Sequence, residues 1–359
     1  MRFKSKMAIE HVQLLHNVIL PISRLAGGGG GSSVGSGTTI YIDPENLRIS
    51  SRGGAGNRVD GGASQLGSAE QGVEGIACFA ELVALNGIFL DHKIESIANN
   101  VIVFDVDLIQ FRTALASTLQ SLGGSGGVDN SIRSGPLHNS GEDARNSSFS
   151  SRNNTSYSSS SVLVVMKLAK RSGLPCLCLD ASCANGTMDV HHAIPVRILR
   201  AEEWQHHLPP LVNTPDVQLE FQLDRPLKAV IERLKSISPF IYVDGSMTQN
   251  NGELVLRVEN DGVSIRTFYD KLIPRIDDQS EQFQQSQQTA RCTLKVDSKK
   301  IFASLQWQSA MTRGSVSSYI MCLIENEMMV IHVVLNPDDL GFITYYIPVH
   351  YMSHDDMVD

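Results

Sequence analysis

DRPLKAVIERLKSI, residues 224–237, is the stretch on which the reading of the fold turns. Leu227, Val230, Ile231, Leu234 and Ile237 recur at helical spacing and form one apolar stripe. At about 100° per residue, Arg225, Lys228, Glu232 and Lys235 fall opposite that stripe, with Arg233 at its flank. Asp224 stands where a helix takes its N-cap, and Pro226 in the first turn supports that start. The segment predicts a short amphipathic helix carrying four bases against two acids. Such a face suits a polyanion held through its phosphates without readout of sequence. A plainly solvated helix exterior has the same pattern.

Strand-like segments flank this helix on both sides. DVQLEFQL (216–223) precedes it, and FIYVDG (240–245), GELVLRVEN (252–260), GVSIRTFYDKL (262–272) and RCTLKVD (291–297) follow. SKKIFASLQ (298–306) reads as a second helix, and SYIMCLIEN, MMVIHVVLN and GFITYYIPVHYM close the chain as strands. The upstream half follows the same order. RFKSKM (2–7) alternates in polarity as a strand, and residues 9–26 space Val12, Leu15, Val18, Ile19, Ile22 and Leu25 along one helix face. Pro21 predicts a kink or restart inside that helix. TTIYIDPENLRISSR (38–52) is strand, turn, strand, and GIACFAEL, a stretch near GIFLDHKI and NVIVFDV add more strands. Asp107 opens a helix bearing Leu108, Phe111, Leu115, Leu119 and Leu122, and SVLVVMKLA, LPCLCLDA and MDVHHAIPVRIL follow as strands. This repetition predicts an α+β fold of two similar domains, each with antiparallel sheets and two short helices.

Composition sets the boundaries. Residues 27–37, 53–74, 122–160 and 276–290 are rich in Gly, Ser or Gln and predict flexible insertions, because they cannot bury enough apolar surface to offset ordering entropy. Residues 200–215, with three prolines, read as a linker, which divides the chain into domains at 1–199 and 216–359. The formal net charge of -8 argues against a simple sticky coat for nucleic acid, but binding follows the local field of a surface. MRFKSKMAIEHVQLL lacks the long apolar stretch of a signal peptide, and no segment approaches the roughly 18 apolar residues of a membrane span. A soluble intracellular protein with reduced thiols is the expectation.

The order of several segments is similar to a known family. MRFKSKM, IDPENLRI (42–49), IPVRIL (194–199) with Trp204, NTPDVQLEFQL (213–223), DRPLKAVIERLKSI, GELVLRVEN and YYIPVHY (345–351) together resemble the Hus-type subunits of the DNA-damage checkpoint clamp, relatives of the replicative clamp proliferating cell nuclear antigen. The likeness covers almost the whole chain outside the insertions. It implies a sliding-clamp fold, with sheets outside and helices lining a hole around double-stranded DNA. It further implies a ring shared with two other Rad-type subunits, an ATP-driven clamp loader, recruited checkpoint and repair proteins, a nuclear location, no catalysis and no cofactor. Carried over from helix position, Arg24, Arg112, Arg225, Lys228, Arg233, Lys235, Lys299 and Lys300 would face the DNA. Pro21 is a departure that would displace Arg24, and His11 and His16 leave the first helix weakly charged near neutral pH. Ser64-Gln65, Thr248-Gln249 and Ser286-Gln287 are dipeptides of the type checkpoint kinases modify, and they arise by chance in most chains of this length.

Subunit contacts of such a ring use exposed strand edges. Met188, Val190 and His192 on one strand, and Val263, Ile265 and Phe268 on another, are the candidates. Two alternatives stand beside this reading: a homotrimeric replicative-type clamp, and a zinc module or zinc enzyme using Cys176, Cys178, Cys183, His191 and His192. The second lacks the paired C-x2-C arrangement of common zinc modules, and the CLCL alternation suits a half-buried strand. No Walker-type phosphate loop, Gly-x-Ser-x-Gly elbow or His-Glu-x-x-His motif occurs.

Overall fold

A computed structural model describes residues 1–26, 38–52, 75–122, 163–182, 189–204, 207–223, 227–260, 262–275, 289–311, 314–336 and 340–351. The first half runs β1 (Arg2–Ala8), α1 (Ile9–Ala26), β2 (Thr38–Ile42), β3 (Asn46–Arg52), β4 (Ala77–Val83), β5 (Asp91–Glu95), β6 (Ile102–Val106), α2 (Leu108–Ser121), β7 (Leu163–Arg171), β8 (Leu174–Ser182) and β9 (Asp189–Ile198). A short helix, α3 (Ala201–Trp204), sits in the connection. The second half runs β10 (Val217–Phe221), α4 (Leu227–Lys235), β11 (Phe240–Met247), β12 (Gly252–Asn260), β13 (Val263–Pro274), β14 (Ala290–Asp297), α5 (Ser298–Ser304), α6 (Trp307–Ala310), β15 (Val316–Ile324), β16 (Met328–Leu335) and β17 (Gly341–His350). This α+β architecture is the expected one; α3 and α6, one turn each, escape the periodicity.

α1 runs unbroken through Pro21, so the restart expected there does not occur. Val12, Leu15, Val18, Ile19 and Ile22 are all fully buried along it. Five such side chains, at roughly 1.5–3 kcal/mol each, outweigh the ~3 kcal/mol that an interior proline costs. Both helices that end a run of strands are capped alike. Asp107 accepts from the backbone N–H groups of Ile109 and Gln110 at 2.8 and 3.1 Å. Asp297 accepts from those of Lys299 and Lys300 at 2.7 and 3.3 Å. The same residue type at the same place in each half is the duplication visible atom by atom. The expected cap Asp224, with Arg225 and Pro226, lies outside the described residues.

The strand ladders repeat as well, and all are antiparallel. In the first half one sheet is ordered β5–β1–β7–β8–β9, and the other β6–β2–β3–β4. In the second half the counterparts are β13–β10–β15–β16–β17 and β14–β11–β12–β13. The two halves join edge to edge, β17 pairing with β4 from Gly341 opposite Leu82 to Tyr346 opposite Ala77. Gly341, at φ 139°, approaches the Glu81 carbonyl so closely that a Cβ would lie 2.0 Å from it, so only glycine fits that seam. All the main helices pack on one side of these sheets: α1 against α2, α4 against α5, and α1 against α5 and α6. One apolar core, from Phe3 and Leu15 to Tyr345 and Ile347, fills the space between.

Candidate nucleic-acid interface and free sheet edges

The helix layer carries the cations, and they are unevenly held. On α4, Leu227, Ile231 and Leu234 point into the core. Lys228 and Lys235 are half-buried at the flank of that stripe, while Glu232 and Arg233 are exposed. This reverses the helical-wheel expectation, which put Lys228 and Lys235 opposite the stripe and Arg233 beside it. The reason is α5, which packs alongside and brings Phe302 beneath both lysines. The Lys235 ammonium sits 3.7 Å from the Phe302 ring centroid and that of Lys228 5.7 Å from it. Lys228 Nζ also donates to Ser309 Oγ at 2.7 Å, and its backbone N–H donates to Gln308 Oε1 at 3.2 Å. Stems rest on the aromatic ring while the charged heads remain at the surface.

Lys299 is exposed and Lys300 half-buried in the first turn of α5. In the first half, Arg24 is exposed in the last turn of α1. Arg112 is half-buried on α2 and donates to Ser23 Oγ at 3.2 Å, which ties α2 to α1. His16, beside it, is held below its ordinary pKa, first by burial and then by the Arg112 charge. None of Arg24, Arg112, Lys228, Arg233, Lys235, Lys299 and Lys300 pairs with a carboxylate among the described residues. The sheet faces differ. Arg48 meets Glu81, Arg197 bridges Asp105 and Glu203, Arg257 bridges Asp244 and Glu259, and Arg275 meets Glu220. Some sheet cations (Lys4, Lys170, Arg171, Lys271 and Arg291) are unpaired as well, so what sets the helix layer apart among the described residues is that none of its named cations is compensated by a carboxylate.

Among the described residues the two edges named from the sequence are open, as is that of β5, which pairs only with β1. Along Asp189–Pro195, β9 pairs with β8 on one side and with no other described strand. Along Val263–Tyr269, β13 pairs only with β12. Val190, His192 and Ile265 are partly buried, whereas Val263 and Phe268 are 49% and 70% exposed; Met188 lies outside the described residues. The β9 and β13 edges have a particular meaning in the duplicated fold. β9 is the counterpart of β17, and β13 the counterpart of β4, so these two edges repeat the two members of the seam already closed within the chain.

Sequence reasoning missed a cleft of about 570 Å³, mouth included, on the outward face beneath the connection between halves. Tyr41, Phe79, Trp204, Leu208, Phe342 and Tyr346 contribute to its walls. Trp204 packs on Tyr41 at 5.2 Å, and His207 Nδ1 lies 2.9 Å from Thr39 Oγ1. The residues come from four distant segments, so no local pattern marks them. The cysteine cluster assembles differently from the zinc reading: Cys176 and Cys178 are buried in β8, His191 is hydrogen-bonded to Asp180 at 3.1 Å, and Cys183 lies outside the described residues. Among the described residues no group of three His, Cys, Asp or Glu is arranged to hold a metal, and no helix is long and apolar enough to cross a membrane.

Comparison with known proteins bears on the family and the fold. A family model described as Hus1-like protein matches residues 64–350. The chain is 27% identical over 278 residues to the Dictyostelium discoideum "Checkpoint protein hus1 homolog", covering 77% of this chain and 82% of that protein. It is 28% identical over 101 residues to the Homo sapiens "Checkpoint protein HUS1", covering 27% of this chain and 35% of that protein. The match to the Drosophila melanogaster "Checkpoint protein Hus1-like" is 28% over 144 residues, covering 38% of this chain and 48% of that protein. The matched region thus spans about a third of the human relative and half of the fly one. Among solved structures, the PCNA2-PCNA3 complex from Sulfolobus tokodaii superposes with a TM-score of 0.51 at 9% identity, over 97% of this chain and 99% of that one. At that identity the likeness establishes the sliding-clamp fold alone.

Proposed function

The chain belongs to the Hus1-like protein family, and from that premise we propose that it is a non-catalytic subunit of a heterotrimeric checkpoint clamp that encircles double-stranded DNA at damage sites in the nucleus. One observation carries the reading: the helix-face cations are left unpaired while Arg48, Arg197, Arg257 and Arg275 on the sheets are neutralised. A duplex threaded past α1, α2, α4 and α5 meets Arg24, Arg112, Lys228, Arg233, Lys235, Lys299 and Lys300, together with Arg225. Ammonium and guanidinium groups on a helical wall contact phosphates and not base edges, so the ring slides without reading sequence.

Assembly follows from the seam. The domains 1–199 and 216–359, joined through 200–215, repeat one unit, and β17–β4 is their internal joint. The open β9 and β13 edges would make the same joint with two different neighbours, the other Rad-type subunits, through Val190, His192, Val263, Ile265 and Phe268. A head-to-tail contact that closes on itself gives a ring, and a clamp loader opens and closes it. Recruited repair and checkpoint proteins would set an apolar anchor into the cleft beneath the linker. Tyr346→Ala should then weaken their binding to the assembled ring and leave ring formation intact; unchanged binding removes the cleft from this role.

Co-purification tests the central claim. Two distinct clamp subunits should accompany the chain at equal stoichiometry, and the trimer should stay on closed circular DNA and slide off linear DNA. A single-species trimer on sizing would replace the heterotrimer with a replicative-type homotrimer.

A further inference from the structure

On the outward face of the first-half sheet, Lys4 stands at the centre of a cross of cations. β1 alternates so that Phe3, Ser5 and Met7 face the core and Arg2, Lys4 and Lys6 face out. The register sets Lys93 of β5 directly opposite Lys4 on one side and Lys167 of β7 directly opposite on the other. Residues directly opposite share a face, and neighbouring strands are about 4.8 Å apart. Lys4 therefore has a cation before it, behind it and on each flank, all within about 10 Å.

The outer four are compensated and the central one is not. Arg2 lies 3.9 Å from Glu95, Lys93 2.7 Å from Glu95, Lys6 3.8 Å from Asp91, and Lys167 2.5 Å from Asp180. Lys4 is exposed and makes no ion pair among the described residues. Burial pushes the Asp180 carboxyl up, but hydrogen bonds from Lys167 and His191 win and hold it below the usual range. The carboxylates sit at the rim, each drawn to a peripheral cation. Like charges directly opposite one another destabilise a sheet, so this arrangement lacks an anion at its middle.

We propose that the Lys4 cross is a docking site for an extended peptide of a partner protein carrying two or three acidic side chains close together. A duplex is the poorer fit. Its phosphates run as a continuous rail, one charge per ~1.7 Å of axis, and would be driven against Asp91, Glu95 and Asp180. Discrete carboxylates on a flexible backbone can sit over Lys4, Lys93 and Lys167 and avoid that rim. The face also points away from α1, so its occupant would not compete with DNA lying against the helices.

The test is fluorescence anisotropy on the full-length chain with a labelled EEDEE peptide, a QQNQQ control and a 20-base-pair duplex. The acidic peptide should bind and the control should not. Lys4→Glu should weaken peptide binding at least ten-fold and Lys4→Gln about three-fold, while Lys235→Glu on the helix face leaves it unchanged. Because the substitution removes a repulsion, the melting temperature of K4E should equal or exceed that of the wild type. Equal peptide affinity for wild type and K4E overturns the site, as does an equal loss on K235E. A duplex that loses its binding on K4E would make this a nucleic-acid face instead.

Discussion

The helices of the two halves share their place in the fold and differ in charge. α4 and α5 present Lys228, Arg233, Lys235, Lys299 and Lys300 against Glu232. α1 and α2 present Arg24 and Arg112 against Glu10, with Arg112 tied to Ser23 and His16 held neutral by burial. Backbone duplication has been kept while the electrostatics have diverged. A sheet-backed helix must keep its apolar stripe to stay attached, but its outer residues are constrained only by what lies opposite them. Under the proposed function the second half would therefore supply most of this subunit's grip on a polyanion, and the first half wall.

The largest test of that division is charge reversal in each half. Lys228→Glu with Lys235→Glu should reduce retention of the assembled ring on linear duplex, where topology no longer holds it, at least ten-fold. It should also flatten the dependence of retention on log salt by about one for each cation removed. Arg24→Glu with Arg112→Glu should cost only a few-fold. Equal losses would erase the distinction between halves. A finer cut is Phe302→Leu, which preserves apolar bulk and removes the aromatic face beneath Lys228 and Lys235. Retention should fall two- to three-fold with melting unchanged; a loss as deep as the double reversal would mean that the ring itself, and not the lysines, meets DNA. The two caps probe the backbone repeat: Asp107→Ala and Asp297→Ala should each cost about 1 kcal/mol in chemical denaturation. Only Asp297→Ala should also weaken retention, because its helix carries Lys299 and Lys300.

Much of this was legible in the sequence because period alone carries it. Alternation located β1, helical spacing located α1 and α4, and Asp107 marked the start of α2; Asp297 read only as the end of a strand, and its capping role emerges from the structure. What the sequence could not supply was every relation made across strands. The reversal of Lys228 and Lys235 relative to Arg233 depends on Phe302, some seventy residues away, coming to lie beside α4. The Lys4 cross requires the registers of β1 with both β5 and β7. The cleft draws its walls from β2, β4, β17 and the linker. Pro21 shows the converse: the restart expected at it does not occur, because five buried aliphatic side chains hold the same helix together.

The smallest expected effect concerns protons. His16 in α1 and His332 in β16 both lie below the ordinary imidazole value of 6.5, His16 through burial and then Arg112, His332 through burial alone. A histidine kept deprotonated by the fold gains a proton more readily once unfolded. Its stabilising contribution is therefore complete above the free value near 6.5 and is lost as the pH falls below it. Chemical denaturation should show lower stability at pH 5.5 than at pH 7.5. His16→Gln should flatten that slope through the first half, and His332→Gln through the second. α4 and α5 carry no histidine, so Lys235→Glu should leave the slope untouched. If it steepens or flattens the acid response instead, the second-half helix surface is coupled to the buried histidines, and the two halves do not respond to charge independently.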